Sequence, residues 1–130
     1  EDSLVLVHDG VRPCLRFEDI KALVTVLDAH PVGGCLAVPV RETVKRVNRD
    51  DVVATLDRSQ LWLAQTPQVF RFGILKQALT QFPDSTDEAS AIEQLGLQPR
   101  VVQGHSDNIK ITTGEDLVMA EVILKSRGRS

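Results

Sequence analysis

The sequence predicts an α/β fold with a mainly parallel sheet, on three observations. Apolar runs of strand length alternate with segments of helical periodicity along the 130 residues. Leu4-Val5-Leu6-Val7 is apolar throughout, the pattern of a strand buried on both faces inside a parallel sheet. Breakers fall between the segments, at His30-Pro31, Pro83 and Gly96.

The composition supports a folded body. Hydrophobic residues are 42% and charged residues 25%, ordinary globular usage that argues against disorder. The length fits one domain. Lys plus Arg is 15 against 18 Asp plus Glu, a formal net charge of -3. Such a chain has no basic field to hold nucleic acid. Apolar runs such as Leu36 to Val38 are far too short to span a bilayer. Glu1 and Asp2 stand where a signal peptide would carry basic residues, which favours a cytoplasmic protein. Cys14 and Cys35 lack CxxC spacing and read as reduced, buried thiols.

The elements follow in order. A first strand runs from Leu4 to His8, and its central character implies sheet neighbours upstream, so the chain is expected to begin inside a larger domain. After the loop Asp9-Gly10-Val11-Arg12-Pro13, Glu18 and Asp19 suit a helix first turn. Phe17, Ile20, Leu23, Val24 and Leu27 give that helix an apolar face. Gly33-Gly34 predict a turn and Cys35 to Val40 a second buried strand. From Arg41 to Leu63 the texture becomes polar. Thr43, Val44 and Val47, then Val52, Val53 and Thr55, favour extended structure around the turn signal Asn48-Arg49-Asp50-Asp51. This hairpin has too few apolar residues for its own core, so residues 39–63 are expected to form an arm against another surface, such as a partner subunit. Phe72, Leu75, Ala78, Leu79 and Phe82 mark a helix closed by Pro83. Ser85 and Glu88 fit a capping box for a short helix, with Thr86 as the alternative cap. Val101-Val102 and Ile109 to Thr112 read as strands. Thr113 or one of its neighbours caps a last helix whose Leu117, Ala120, Ile123 and Leu124 can face the core and whose end carries Lys125, Arg127 and Arg129.

Two segments carry candidate chemistry. His8-Asp9-Gly10-Val11-Arg12-Pro13 lies past the C-terminal end of a strand, where open α/β sheets bind ligands. Asp9 can hold a divalent metal through its carboxylate, and Arg12 can bind phosphate with its planar fork. In the second, Asp107 and Asn108 precede Lys110, which alternates with Ile109 and Ile111 and can reach a phosphate. Thr43, Lys45, Arg46 and Arg58 on the arm suit an anionic small molecule or simply a solvated surface. His30 and His105 have no ligand set at metal spacing, and no GxGxxG or GxxxxGK[ST] motif is present.

Five segments together resemble the 2-C-methyl-D-erythritol 4-phosphate cytidylyltransferase family. They are VHDGVRPCL (Val7 to Leu15), PVRETVKRV (Pro39 to Val47), TLDRSQLWLAQTPQVF (Thr55 to Phe70), TDEASAIE (Thr86 to Glu93) and DNIKITTGEDLVMAE (Asp107 to Glu121). The resemblance implies a Rossmann-like nucleotidyltransferase fold, of which residues 1–130 are the C-terminal part of a single domain. It implies cytidylyl transfer from CTP to methylerythritol phosphate with release of pyrophosphate, in the non-mevalonate route to isoprenoids, with Mg²⁺ as the divalent metal. It also implies a homodimer through the β-arm. Matched by motif, Lys110 and Asp9 are the catalytic candidates, with Asp9 near the metal. Arg12, Thr43, Arg58, Thr86 and Asp107 are the substrate-binding candidates, Thr43 and Arg58 being supplied by the partner's arm. Gly10 and Val11 stand where family members carry two alanines, and Glu42 where aspartate is common. The family's N-terminal Gly-rich loop, which contacts the CTP phosphates, has no counterpart in this sequence. A catalytically silent dimerisation module and a ribitol-phosphate or other sugar-phosphate nucleotidyltransferase are the competing readings.

Overall fold

The computed structural model describes residues 3–128; Glu1, Asp2 and Arg129, used above, lie outside them. The elements are β1 (Leu4–Val7), α1 (Phe17–Leu27), β2 (Gly33–Pro39), β3 (Lys45–Asn48), β4 (Asp51–Thr55), a 3₁₀ turn (Arg58–Gln60), β5 (Trp62–Arg71), α2 (Phe72–Gln81), α3 (Glu88–Gln94), β6 (Arg100–Gln103) and α4 (Gly114–Ser126). Four strands form the main sheet in the order β1-β5-β2-β6.

The mixed sheet corrects the expectation of mainly parallel pairing. β5 pairs antiparallel with both β1 and β2, and among the described residues only β2 and β6 pair in parallel. The reason is the arm. β2 leaves the sheet at Pro39 and the chain returns as β5 directly beside it, with Val38 opposite Leu63 and Pro39 opposite Trp62. A return to the neighbouring position without a crossover must run antiparallel. β1, β2 and β6 share one direction and β5 opposes them. β1 is also less buried than an all-apolar run suggests, since Leu6 is 45% exposed. Among the described residues β1 pairs only with β5.

The sheet separates two apolar layers because neighbouring strand residues point to opposite faces. Val69 joins Leu23, Leu27 and Leu36 on the α1 side. Phe70, one residue on, joins Val32, Leu75, Ala78, Ala89, Ala91 and Ile92 beneath α2 and α3. Gly33 and Gly34 belong to β2 rather than to a turn. A side chain on Gly34 would sit 1.8 Å from the Arg100 carbonyl oxygen, so a glycine there lets β6 pair.

Residues 45–55 form the expected antiparallel hairpin, with Asn48 opposite Asp51 across Arg49-Asp50. Arg49 takes a left-handed φ of 57°, as a tight hairpin loop requires. The strands have four and five residues, shorter than the sequence suggests, and their side chains are exposed but for a half-buried Ala54. In α4, Ala120 is buried whereas Leu117, Val118, Met119 and Val122 are more than half exposed. No helix among the described residues is long and apolar enough to cross a membrane. Both cysteines are free and buried, and burial pushes the Cys35 thiol up to about 11.

Candidate active site

The site forms where the β1 end, the middle of β5 and the segment before α4 converge. Antiparallel pairing sets Val7 opposite Gln68, which brings the 8–12 loop beside Thr66. Arg12 N–H donates to Asp9 O at 3.0 Å, closing a turn. The Asp9 carboxylate accepts from Val11 N–H at 3.3 Å. Residues 104–112 are held from below. Gly104 N–H donates to Ala37 O at 3.0 Å. Asn108, wholly buried, donates through Nδ2 to Thr66 O at 2.9 Å. Gln65 Nε2 donates to His105 O at 3.0 Å.

Ile109 to Thr112 is irregular rather than a strand, because its backbone turns to meet the first loop. Ile111 N–H donates to Val11 O at 2.8 Å. That bond helps join the two candidate segments, and Lys110 Nζ lies 3.7 Å from the Asp9 carboxylate. A cavity of about 430 Å³ opens beside the pair, lined by Asp9, Arg12, Thr66, Thr86, Glu88 and Lys110 among others. Arg12 Nη1 donates to Asn108 O at 2.7 Å, while its buried Nε has no hydrogen-bond partner among the described residues. Desolvation pulls the Arg12 guanidinium below its ordinary value and the charge of Asp9 pulls it back. A partly desolvated, under-satisfied guanidinium beside an ammonium is a site for an anion.

The sequence profile of the 2-C-methyl-D-erythritol 4-phosphate cytidylyltransferase family matches residues 1–126. The chain belongs to that family. The curated cytidylyltransferase of Dechloromonas aromatica is 51% identical over 128 residues, covering 98% of this chain and 56% of that protein. The cytidylyltransferase of Hahella chejuensis is 54% identical over 129 residues, covering 95% of this chain and 54% of the relative. A crystal structure of 4-diphosphocytidyl-2C-methyl-D-erythritol synthase superposes with a TM-score of 0.90 at 44% identity, over 95% of this chain and 58% of that one. The Francisella tularensis cytidylyltransferase gives 0.86 at 44% identity, over 95% and 60%. The chain thus spans just over half the length of the cytidylyltransferases it matches.

Within this cytidylyltransferase fold the candidates separate into three places. Asp9, Arg12, Thr86 and Lys110 share the cavity. Thr43 and Arg58 do not line it; both are exposed on the arm. Leu56 N–H donates to Val44 O at 2.9 Å, which keeps the flanking Thr43 and Arg58 at one end of the hairpin. Asp107 lies outside the cavity. Its carboxylate takes Arg16 Nη2 at 2.6 Å and Arg127 Nη2 at 2.9 Å. Desolvation acts to raise it, but hydrogen bonds and charge from Arg16 and Arg127 prevail and hold it below the usual carboxylate range. With two guanidiniums on its oxygens, Asp107 ties the loop to the residue before α1 and to the end of α4.

Several contributors lie in or near the matched segments but have no individual role assigned from the sequence. Thr66 and His8 line the cavity, and so do Gln65, Gln68 and Asp87. Gln68 is buried and grips the start of α3, donating to Asp87 at 3.2 Å and accepting from Ala89 N–H at 3.2 Å. Asp87, not Ser85 or Thr86, caps α3 by accepting from Ser90 N–H at 2.7 Å. His105 Nδ1 lies 2.8 Å from the buried Asp19 carboxylate, 86 residues away in the chain. The AQTPQ segment was the available clue, since polar residues inside a buried strand need partners. Val11, bulkier than alanine, is 41% exposed.

Proposed function

We propose that the protein to which this chain belongs transfers a cytidylyl group from CTP to 2-C-methyl-D-erythritol 4-phosphate. A phosphate oxygen of the acceptor attacks the α-phosphorus of CTP in line. A new P–O bond forms as the bond from the α-phosphorus to the bridging oxygen breaks, and pyrophosphate departs. Lys110 and Arg12 supply fixed positive charge where negative charge builds up on the reacting phosphates. Asp9 holds Lys110 in place, and Thr86 lines the cavity beside them. Thr43 and Arg58 reach the acceptor phosphate of a second subunit through the exposed arm, which makes the homodimer part of the site. The protein acts in the cytoplasm.

Mg²⁺ fits this donor set in a limited way. No group of three or more metal-ligating side chains occurs among the described residues, but Mg²⁺ is commonly held by one or two carboxylates with substrate phosphates and water. Asp9 is the carboxylate that would hold it. Bound there, the ion would neutralise phosphate charge.

The observation that carries the reading is the Asp9–Lys110 pair beside the unpartnered Arg12 Nε, in a chain of this family. The test is pyrophosphate release by the complete protein with CTP, Mg²⁺ and methylerythritol phosphate. Release with ribitol phosphate but not methylerythritol phosphate would replace the acceptor. No release with either, from a folded dimer, would leave the silent module.

A further inference from the structure

Lys110 sits in a segment with no regular secondary structure, so bonds from outside the segment must fix it. Its own pair with Asp9 is long, at 3.7 Å, and its side chain is 52% exposed. Such a pair orients an ammonium but holds a backbone weakly. Firmer bonds lie three residues upstream, at Asp107. Arg16 reaches both carboxylate oxygens, with Nη2 2.6 Å from Oδ2 and Nε 3.4 Å from Oδ1. Arg127 Nη2 lies 2.9 Å from Oδ2, and Arg127 Nη1 donates to Cys14 O at 2.7 Å. The three side chains are largely shielded from solvent, so salt screens them less than a surface pair. None of them lines the substrate cavity. From this clamp the two loops run side by side. Arg12 Nη1 donates to Asn108 O at 2.7 Å, and Ile111 N–H donates to Val11 O at 2.8 Å.

We propose that Asp107 is a positioning residue: gripped by Arg16 and Arg127, it fixes the register between the two loops and so sets where the Lys110 ammonium meets the reacting phosphates. The inference deepens the proposed function and rests on it for the role of Lys110. Arg16 is the residue before α1 and Arg127 the residue that closes α4. Without the carboxylate, two guanidiniums are left beside each other with no counter-charge, and like charges push those two ends apart. The bonds at Asn108 O and Ile111 N–H then lose their anchor, and Lys110 swings through a wider arc. A charge held away from the place where charge develops no longer stabilises it. The loss therefore belongs to kcat rather than to the binding of either substrate.

The test uses the complete protein. Backbone amide exchange followed by NMR reads the joint between the loops and needs no turnover. An inactive protein would sink the proposed function without touching that result. In Asp107→Asn the Ile111 amide should exchange at least about ten-fold faster than in the wild type, beyond any rise at Val69 and Phe70. Those two lie in β5, which has a strand on each side, and they report opening of the whole sheet. In kinetics, Asp107→Asn should lower kcat about ten- to a hundred-fold and leave KM for CTP and for methylerythritol phosphate within about three-fold. In a Lys110→Ala background the same substitution should cost less than about two-fold. Arg16→Lys keeps the charge and loses the fork, so it should give a smaller loss of the same kind. An equal rise in exchange at all three amides would make Asp107 a contributor to stability alone. A raised KM for methylerythritol phosphate with kcat unchanged would make it a substrate contact. Full additivity with Lys110→Ala would part it from the ammonium. Each of these would overturn the proposal. If Asp107→Asn does not fold, Arg16→Lys carries the same readouts.

Discussion

Asn108 shows how one side chain can fix a site it does not line. It is wholly buried two residues before Lys110, and its Nδ2 donates to the Thr66 carbonyl. Asn108→Ala leaves that carbonyl unpaired and should lower stability by about 1–3 kcal/mol in denaturant titrations. Activity should fall further than the folded fraction does, because the loop that brings Lys110 to Asp9 is released. Arg58 is exposed on the arm. In the complete protein, Arg58→Ala should raise KM for methylerythritol phosphate about ten- to a hundred-fold, the loss of a charge-assisted contact. An equal rise for CTP would place Arg58 elsewhere. His30 gives a pH signature. Its Nδ1 accepts from Val32 and Gly33 N–H at 3.2 and 3.0 Å. Burial, then the charges of Arg100 and Arg71, lower its pKa. The unfolded chain therefore takes up a proton first, and stability present above about pH 6.5 should drain away as pH falls through the folded value. Thermal midpoints from pH 7.5 to 5 should decline, and His30→Gln should flatten that part of the curve.

At the scale of elements, patterns with a local cause were legible and those with a distant cause were not. Thr113 caps α4 as its spacing suggests, with Asp116 completing the capping box. Gly96 ends α3 with a left-handed φ of 87°, as expected. The α3 start was misread because Asp87 is selected by Gln68, which reaches it from β5. The Asp19 side chain, chosen as a first-turn acid of α1, is buried by His105. Ile109 to Thr112 has the alternation of a strand, yet its backbone bonds to Val11 instead of to a sheet. The β3–β4 hairpin was legible because β-formers flanking a turn signal are local properties. Deleting residues 41–60 should turn dimers of the complete protein into monomers in sedimentation velocity. A deletion that stays dimeric at the same concentration would move the interface elsewhere.

For the whole molecule, the chain spans just over half of its relatives, and it carries no Gly-rich phosphate loop. Backbone N–H groups of such a loop are what hold a triphosphate. The 130-residue chain alone should therefore release no pyrophosphate from CTP and methylerythritol phosphate. It should also be poorly soluble, because Leu117, Val118, Met119 and Val122 on α4 are more than half exposed and Leu6 on β1 is 45% exposed. Robust turnover by the isolated chain would show that the CTP phosphates are bound by residues within it.

What the sequence determined by itself was the α/β class, a hairpin about the Asn48 to Asp51 turn, the presence of the helices and the two segments that bear Asp9, Arg12 and Lys110. Each rests on periodicity, turn chemistry or motif, all properties of neighbouring residues. Tertiary structure alone decided the direction of β5, which follows from where the arm returns. It decided that Asp107 serves Arg16 and Arg127, and that His8 and Thr66 complete the cavity wall. Those outcomes depend on which distant groups meet in three dimensions, because a buried polar atom takes whatever partner the packing brings within hydrogen-bond reach.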